Sequence, residues 1–172
     1  MTAPSSAVSF SFMRRHPAHW LALAGGAGLA PFAAGTFGTL WAWGVWWLLL
    51  AGRSPGVQAG VIVAAFALGV WACRVTARHL GQADPGAIVC DEVAAFWLVL
   101  WLLPASWGGL GQAAAFALFR FFDAAKPGPV RWADELFHEA GGWRGALGIM
   151  FDDAVAAFCT LLTLALLVRL VG

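Results

Sequence analysis

Acidic side chains are scarce in this chain, and most of them lie in short clusters beside long apolar runs. The chain has nine Asp and Glu residues among 172. Ionisable groups beside membrane-spanning segments are costly to keep, so we expect these clusters to carry the function. Eight of the carboxylates belong to the clusters, namely Asp84, Asp91, Glu92, Asp123, Asp134, Glu135, Asp152 and Asp153.

Basic residues lie close to the acidic clusters, and the combination indicates phosphoryl chemistry. Arg120 and Asp123 are spaced i, i+3, which places them on one face of a helix, and Lys126 follows just before prolines end that helix. Mg²⁺ is held by one or two carboxylates together with waters and phosphate oxygens, so this composition suggests action on a phosphorylated lipid. Asp152 and Asp153 are predicted to open the last helix, where carboxylates suit the positive end of the dipole. Structural roles stay open, as an ion pair for Arg120 with Asp123 and as an N-cap for Asp152.

The composition places these residues in a membrane protein. The chain is 61% hydrophobic and 11% charged, with 11 Trp, 13 Phe and no Tyr, and its mean hydropathy is +0.77. These values lie far outside the range of soluble globular domains. We therefore predict an all-α, multi-spanning membrane bundle of about four to five apolar helices in one domain, residues 1–172, with residues 1–16 as a flexible tail. The net charge of +1 gives no reason to expect a nucleic acid partner.

Five apolar runs predict the helices and the side of the membrane that holds the polar site. The runs cover residues 39–51, 57–73, 93–103, 110–122 and 154–171, and Pro104 closes the third. If all five cross with the N-terminus inside, eight of the ten Lys and Arg residues lie in the cytoplasm. The same topology places residues 25–38, 74–92 and 120–153 on that face. All the carboxylates are thereby predicted to face the cytoplasm.

A glycine-rich stretch, residues 25–39, precedes the first apolar run. Backbone amides in such a stretch can cradle phosphate. Glycine is also common where membrane helices pack, and the stretch matches neither the Walker nor the dinucleotide-binding pattern. Its composition alone favours a packing role.

Four motifs in order along the chain resemble the bacterial phosphatidylglycerophosphatase A family. They are Gly28-Leu29-Ala30-Pro31 with Gly35-Thr36-Phe37-Gly38-Thr39, then residues 84–92 (DPGAIVCDE), residues 119–129 (FRFFDAAKPGP) and residues 148–153 (GIMFDD). The resemblance covers roughly residues 17–170. It implies an all-helical, Mg²⁺-dependent phosphatase of the bacterial inner membrane that converts phosphatidylglycerophosphate to phosphatidylglycerol.

The resemblance also implies roles for individual residues. Asp91, Glu92, Asp152 and Asp153 become the expected metal ligands, and Asp123 becomes a further ligand or the general base. Arg120 and Lys126 are expected to hold the phosphate, with Thr36 as a phosphate contact and Asp84 as a catalytic residue. His138 is a candidate for protonating the leaving oxygen. The chain departs from the family pattern at Ala34, Ala95 and Ala157 and in the segment 138–148, which is longer here.

Other functions are compatible with parts of the pattern. A small transporter or channel with an acidic cytoplasmic mouth is the main alternative, although such proteins more often carry an ionisable residue within a span. A phosphotransferase would need Asp residues repeated at fixed intervals, whereas the pairs here are adjacent or isolated. The choice among lipid phosphates and the oligomeric state stay open.

Overall fold

The computed structural model describes residues 8–137 and 140–171, and the regular structure within these ranges is helical, with no strand. The predicted all-α fold is confirmed. In chain order the helices are α1 (Phe10–Met13), α2 (Pro17–Ala22), α3 (Ala34–Val45, continued by a π-helical turn at Trp46–Leu50), α4 (Pro55–Leu80), α5 (Cys90–Leu102), α6 (Gly108–Ala125), α7 (Pro129–Leu136) and α8 (Gly142–Val171).

Among the described residues, fewer helices are long and apolar enough to cross a membrane than the apolar runs predict. α4 and α8 are each long and apolar enough to span a bilayer. α5 and α6 qualify only as a pair, and they meet at 94° across the turn Ala105–Trp107, so the pair is one broken span or a re-entrant loop. The membrane class is confirmed, but the predicted four to five spanning helices become two, or three with the bent pair. The physical reason is length, since the α-helical part of α3 has 12 residues and α5 has 13, against about 20 for a full crossing.

α8 forms the centre of the bundle and packs against α4, α5, α6 and α7. Ala156 and Ala157 on α8 are fully buried, and such small side chains let membrane helices approach closely. Between α5 and α6 the core is filled by Phe96 and Phe119, whose ring centroids are 5.5 Å apart. This core holds the first turn of α5 and the last turns of α6 against α8.

The segment that precedes α2 is folded, which corrects part of the predicted flexible tail. Ser9 caps α1 by accepting a hydrogen bond from the Phe12 amide. Met13 is fully buried, and the ring of Phe12 stacks on His19 at 4.2 Å between centroids. His19 in turn bonds Thr76 of α4, with 2.9 Å between Nδ1 and Oγ1. Burial of these apolar side chains anchors residues 8–16 to the bundle.

Candidate active site

Helix ends bring most of the acidic clusters to one region of the bundle. α5 begins at Cys90, so Asp91 and Glu92 lie in its first turn, where the helix dipole stabilises carboxylates. Arg120 and Asp123 lie in the last turns of α6 and form the ion pair that their spacing predicts. Lys126 ends α6 in the left-handed conformation, with φ of 43°.

The pair Asp152 and Asp153 reaches the same region from inside a helix. α8 begins at Gly142, so the prediction that these residues open the last helix is wrong, and so is the N-cap alternative for Asp152. Helix propensity does not predict this earlier start, because residues 142–148 contain three glycines. Both side chains are nevertheless buried, with Asp153 only 3% exposed.

Three carboxylates have the arrangement of a metal-binding group. Asp91, Glu92 and Asp153 each offer one oxygen, and these oxygens lie within 4.8 Å of one another. Among the described residues, Glu92 Oε2 and Asp153 Oδ2 are buried and find no hydrogen-bond partner. Buried carboxylate oxygens are costly unless they are paired or bind a cation. The donor set fits a hard divalent ion that takes oxygen ligands.

Arg120 lies beside this group and connects it to α6. Its Nη1 is 3.4 Å from Glu92 Oε1, and it also donates to Asp123 Oδ2. Gly35, in the first turn of α3, faces the same contact. A Cβ built there would overlap Glu92 Oε1 and lie 3.0 Å from both terminal nitrogens of Arg120. Glycine is therefore required at this position by space, not by backbone conformation.

Lys126 forms a second cluster with two carboxylates from different helices. Its Nζ donates to Asp134 Oδ1 of α7 and to Asp152 Oδ2 of α8, each at 2.6 Å. Partial burial disfavours the charged lysine, but these two hydrogen bonds outweigh that effect and raise the pKa of Lys126. Asp152 therefore lies outside the group of three carboxylates, although sequence places it among the expected ligands. Its Oδ1 is buried and has no partner among the described residues.

Two cavities that share lining residues lie beside these clusters. The smaller holds about 260 Å³ and is lined by seven of the predicted site residues. The larger holds about 420 Å³ and extends between α7 and α8, past Phe137 and Gly148. Both are lined by Asp84, Lys126 and Asp152. The seven residues are Asp84, Asp91, Glu92, Asp123, Lys126, Asp152 and Asp153.

The remaining predicted residues differ in their placement. Thr36 lies next to Gly35 in the first turn of α3 and lines neither cavity, so its contact with phosphate stays a prediction. His138 lies outside the described residues. Gly35 and Asp134 were not predicted as site residues. The GTFGT motif contains a signal for Gly35. The contact between Lys126 and Asp134 could not be predicted from spacing, because the seven residues between them include a turn.

Comparison with known proteins identifies the family. The family model described as Phosphatidylglycerophosphatase A matches residues 20–168. The Phosphatidylglycerophosphatase A of Escherichia coli (strain K12) is 38% identical over 142 residues, which cover 82% of this chain and 77% of that protein. The Haemophilus influenzae protein of the same name is 40% identical over 145 residues, which cover 83% of each chain.

A third relative carries a different name. It is the "Putative phosphatidylinositol-3-phosphatase" of Bacteroides thetaiotaomicron, 32% identical over 155 residues that cover 86% of this chain and 91% of that protein. The search of solved structures returned no significant match. The chain therefore belongs to the phosphatidylglycerophosphatase A family and is a membrane phosphatase.

Proposed function

We propose that the protein is a Mg²⁺-dependent phosphatase that hydrolyses phosphatidylglycerophosphate to phosphatidylglycerol and phosphate. The observation that carries this proposal is the group formed by Asp91, Glu92 and Asp153 beside Arg120 and Lys126. Carboxylates that can hold a cation, next to cations that can hold a phosphate, are what hydrolysis of a phosphomonoester requires. The bacterial inner membrane, with the site on its cytoplasmic face, is part of the same proposal.

Mg²⁺ would be held by Asp91, Glu92 and Asp153. Glu92 Oε2 and Asp153 Oδ2, which have no hydrogen-bond partner among the residues that the structure describes, support this assignment, since buried carboxylate oxygens are costly unless a cation offsets their charge. When bound, the ion supplies Lewis-acid stabilisation of the negative charge on the phosphoryl oxygens.

The cationic side chains would bind and orient the phosphate. Arg120 presents a guanidinium group fixed by Glu92 and Asp123, so its position is set before the substrate arrives. Lys126 lines both cavities and would exchange part of its contact with Asp134 and Asp152 for phosphate oxygens.

A carboxylate must accept a proton from the attacking water. Asp123 is already engaged by Arg120, which favours an orienting role for it. Asp152 keeps its Oδ1 free of partners among the described residues while Lys126 holds its Oδ2. We therefore assign the general base to Asp152 Oδ1. Asp84 lines both cavities, and we assign it to the passage between them.

The channel alternative receives no support from the arrangement of charges. Four of the acidic side chains are paired with Arg120 or Lys126, namely Glu92, Asp123, Asp134 and Asp152. The relatives from Escherichia coli and Haemophilus influenzae are named as phosphatases. The name of the Bacteroides relative makes phosphatidylinositol 3-phosphate the substrate to compare.

Phosphate release by the purified protein in detergent tests the proposal. Phosphatidylglycerophosphate and phosphatidylinositol 3-phosphate should be assayed with Mg²⁺ and with EDTA, beside Asp153→Asn and the control Glu135→Gln. Glu135 pairs with Arg131 on the exposed side of α7, where its side chain is 60% exposed. We expect Mg²⁺-dependent release from phosphatidylglycerophosphate that Asp153→Asn loses and Glu135→Gln keeps. Release that persists in EDTA would refute the Mg²⁺ dependence. A preference for the inositol lipid would refute the assignment of the substrate.

A further inference from the structure

A cavity of about 460 Å³ with an almost wholly apolar lining lies on the other side of α5 from the carboxylates. We call it the apolar groove. Its walls come from α2, the glycine turn that follows α2, α3, α4 and α5. Its size is within the range of small-molecule binding sites. The lining residues used below are Trp41, Ala64, Leu68, Cys90, Val93 and Trp97.

The first turn of α5 separates the groove from the active site. Cys90 and Val93 line the apolar groove, and their i, i+3 spacing places them on one face of the helix. Asp91 and Glu92, which lie between them in sequence, line the smaller of the two cavities of the active site. A molecule with a charged head at the carboxylates and an apolar tail would therefore meet the groove within one turn of helix.

The groove opens toward the bilayer along α4. Residues 61–69 of this spanning helix form one wall, a length of about 12 Å at 1.5 Å per residue. Leu68 is 51% exposed and Trp41 is 39% exposed, so the rim is accessible from the lipid side. The lining residue Trp97 is held in place by a hydrogen bond from its Nε1 to Ala42 O at 2.8 Å.

We propose that the apolar groove binds an acyl chain of the lipid whose phosphate occupies the carboxylate site. This inference rests on the proposed function, since it takes the phosphorylated lipid as the substrate. The groove and the carboxylates are both lined by the first turn of α5, which favours an acyl chain joined to a phosphate head. A helix of another protein would not explain why the groove lies beside buried carboxylates. The tail then enters from the bilayer along α4 while the head stays at the polar end of the bundle.

We expect the groove to affect the orientation of the bound lipid more than the affinity of the protein for it. A chain that moves from the bilayer into the groove exchanges one apolar environment for another and gains little from the hydrophobic effect. It does fix where the head can lie, and reaction rates fall steeply when a reacting group is displaced by about 1 Å. Filling the groove should therefore impair hydrolysis of the diacyl lipid relative to a substrate that has no acyl chains.

Ala64→Phe blocks the groove and Val63→Phe is its matched control. Ala64 is an exposed residue of the groove wall, whereas Val63 is exposed on α4 without lining the groove. We expect Ala64→Phe to lower the ratio of kcat/KM for phosphatidylglycerophosphate to kcat/KM for its deacylated form by about tenfold. Val63→Phe should leave that ratio unchanged. An unchanged ratio in Ala64→Phe, or an equal fall in both variants, overturns the proposal.

Photolabelling tests the groove without relying on turnover. A phosphatidylglycerophosphate with a diazirine in the middle of one acyl chain should label residues 61–69 and 90–97 in reconstituted Asp153→Asn protein. Excess unlabelled phosphatidylglycerophosphate should suppress this labelling, and phosphatidylcholine should not. Suppression by both lipids would show that ordinary bilayer lipid fills the groove and would refute the inference. Selective suppression in a protein that proves unable to hydrolyse the lipid would uphold the groove and reject the phosphatase.

Discussion

Gly35→Ala tests most directly whether α3 shapes the active site. A Cβ at Gly35 would overlap Glu92 Oε1 and stand 3.0 Å from each terminal nitrogen of Arg120. A retreat of α3 would break the close contact of Gly38, one turn later, with Val89 just before α5, where a Cβ on Gly38 would lie 2.7 Å from Val89 Cβ. The added methyl group must therefore displace the side chains of Glu92 and Arg120.

The size of the effect follows from that displacement. Relief of an overlap with an oxygen requires a movement on the order of 1 Å, and a misplacement of this size at a reacting centre costs about 10²-fold in rate. That loss equals about 2.7 kcal/mol of transition-state stabilisation. The helix itself should not be weakened, since Ala is a better helix former than Gly by roughly 0.5–1 kcal/mol.

The assay compares kcat/KM and the thermal midpoint of unfolding for Gly35→Ala and Gly44→Ala. Gly44 lies in the same helix, and a Cβ there meets nothing within 4 Å. We expect Gly35→Ala to lose about 10²-fold in kcat/KM while it stays folded, and Gly44→Ala to keep wild-type activity. Gly35→Ala protein that is folded and within threefold of wild-type activity would refute the role assigned to α3.

Two further predictions concern a cation of the site and a buried histidine far from it. Lys126→Met should lower kcat/KM by about 10² to 10³-fold, since it removes a donor to the phosphate, and Arg131→Met on the exposed face of α7 should not; similar losses in both would point to a general charge effect. Burial, aided by the charges of His79 and His16, lowers the pKa of His19 from 6.5 to about 4. Between these pH values the unfolded chain binds a proton that the folded protein does not, so the thermal midpoint should fall as pH drops from 6.5 to 4. His19→Gln should flatten this dependence, and an unchanged slope in the variant would assign it to other groups.

Local spacing and short motifs were enough to predict several of the contacts among the charged side chains. The ion pair between Arg120 and Asp123 follows from i, i+3 geometry within one helix, and the structure contains it. Asp91 and Glu92 share the first turn of α5 because they are adjacent in sequence. Their meeting with Asp153 is a long-range contact that only the ordered family motifs could suggest.

Contacts set by tertiary packing were beyond the sequence. The pairing of Lys126 with Asp134 and Asp152 depends on how α7 folds back on α8, which no periodicity encodes. The need for glycine at residue 35 depends on side chains that belong to two other helices. The count of spanning helices failed for a similar reason. Hydropathy records that residues 93–103 and 110–122 are apolar, but not that the two helices meet at 94°.

The bend between α5 and α6 is a common pivot, so a rotation there would move the far ends of both helices. The pivot is the turn Ala105–Trp107. On α5, Glu92 lies ten residues before the last residue, Leu102. On α6, Arg120 lies twelve residues after the first residue, Gly108. At 1.5 Å per residue these stretches of helix are roughly 15 and 18 Å long, so one degree of rotation at the pivot moves either end by roughly 0.3 Å. Three or four degrees reach the 1 Å scale on which positioning fails. The angle of this remote turn is thus one determinant of the distance between Glu92 and Arg120, together with the packing of both helices on α8.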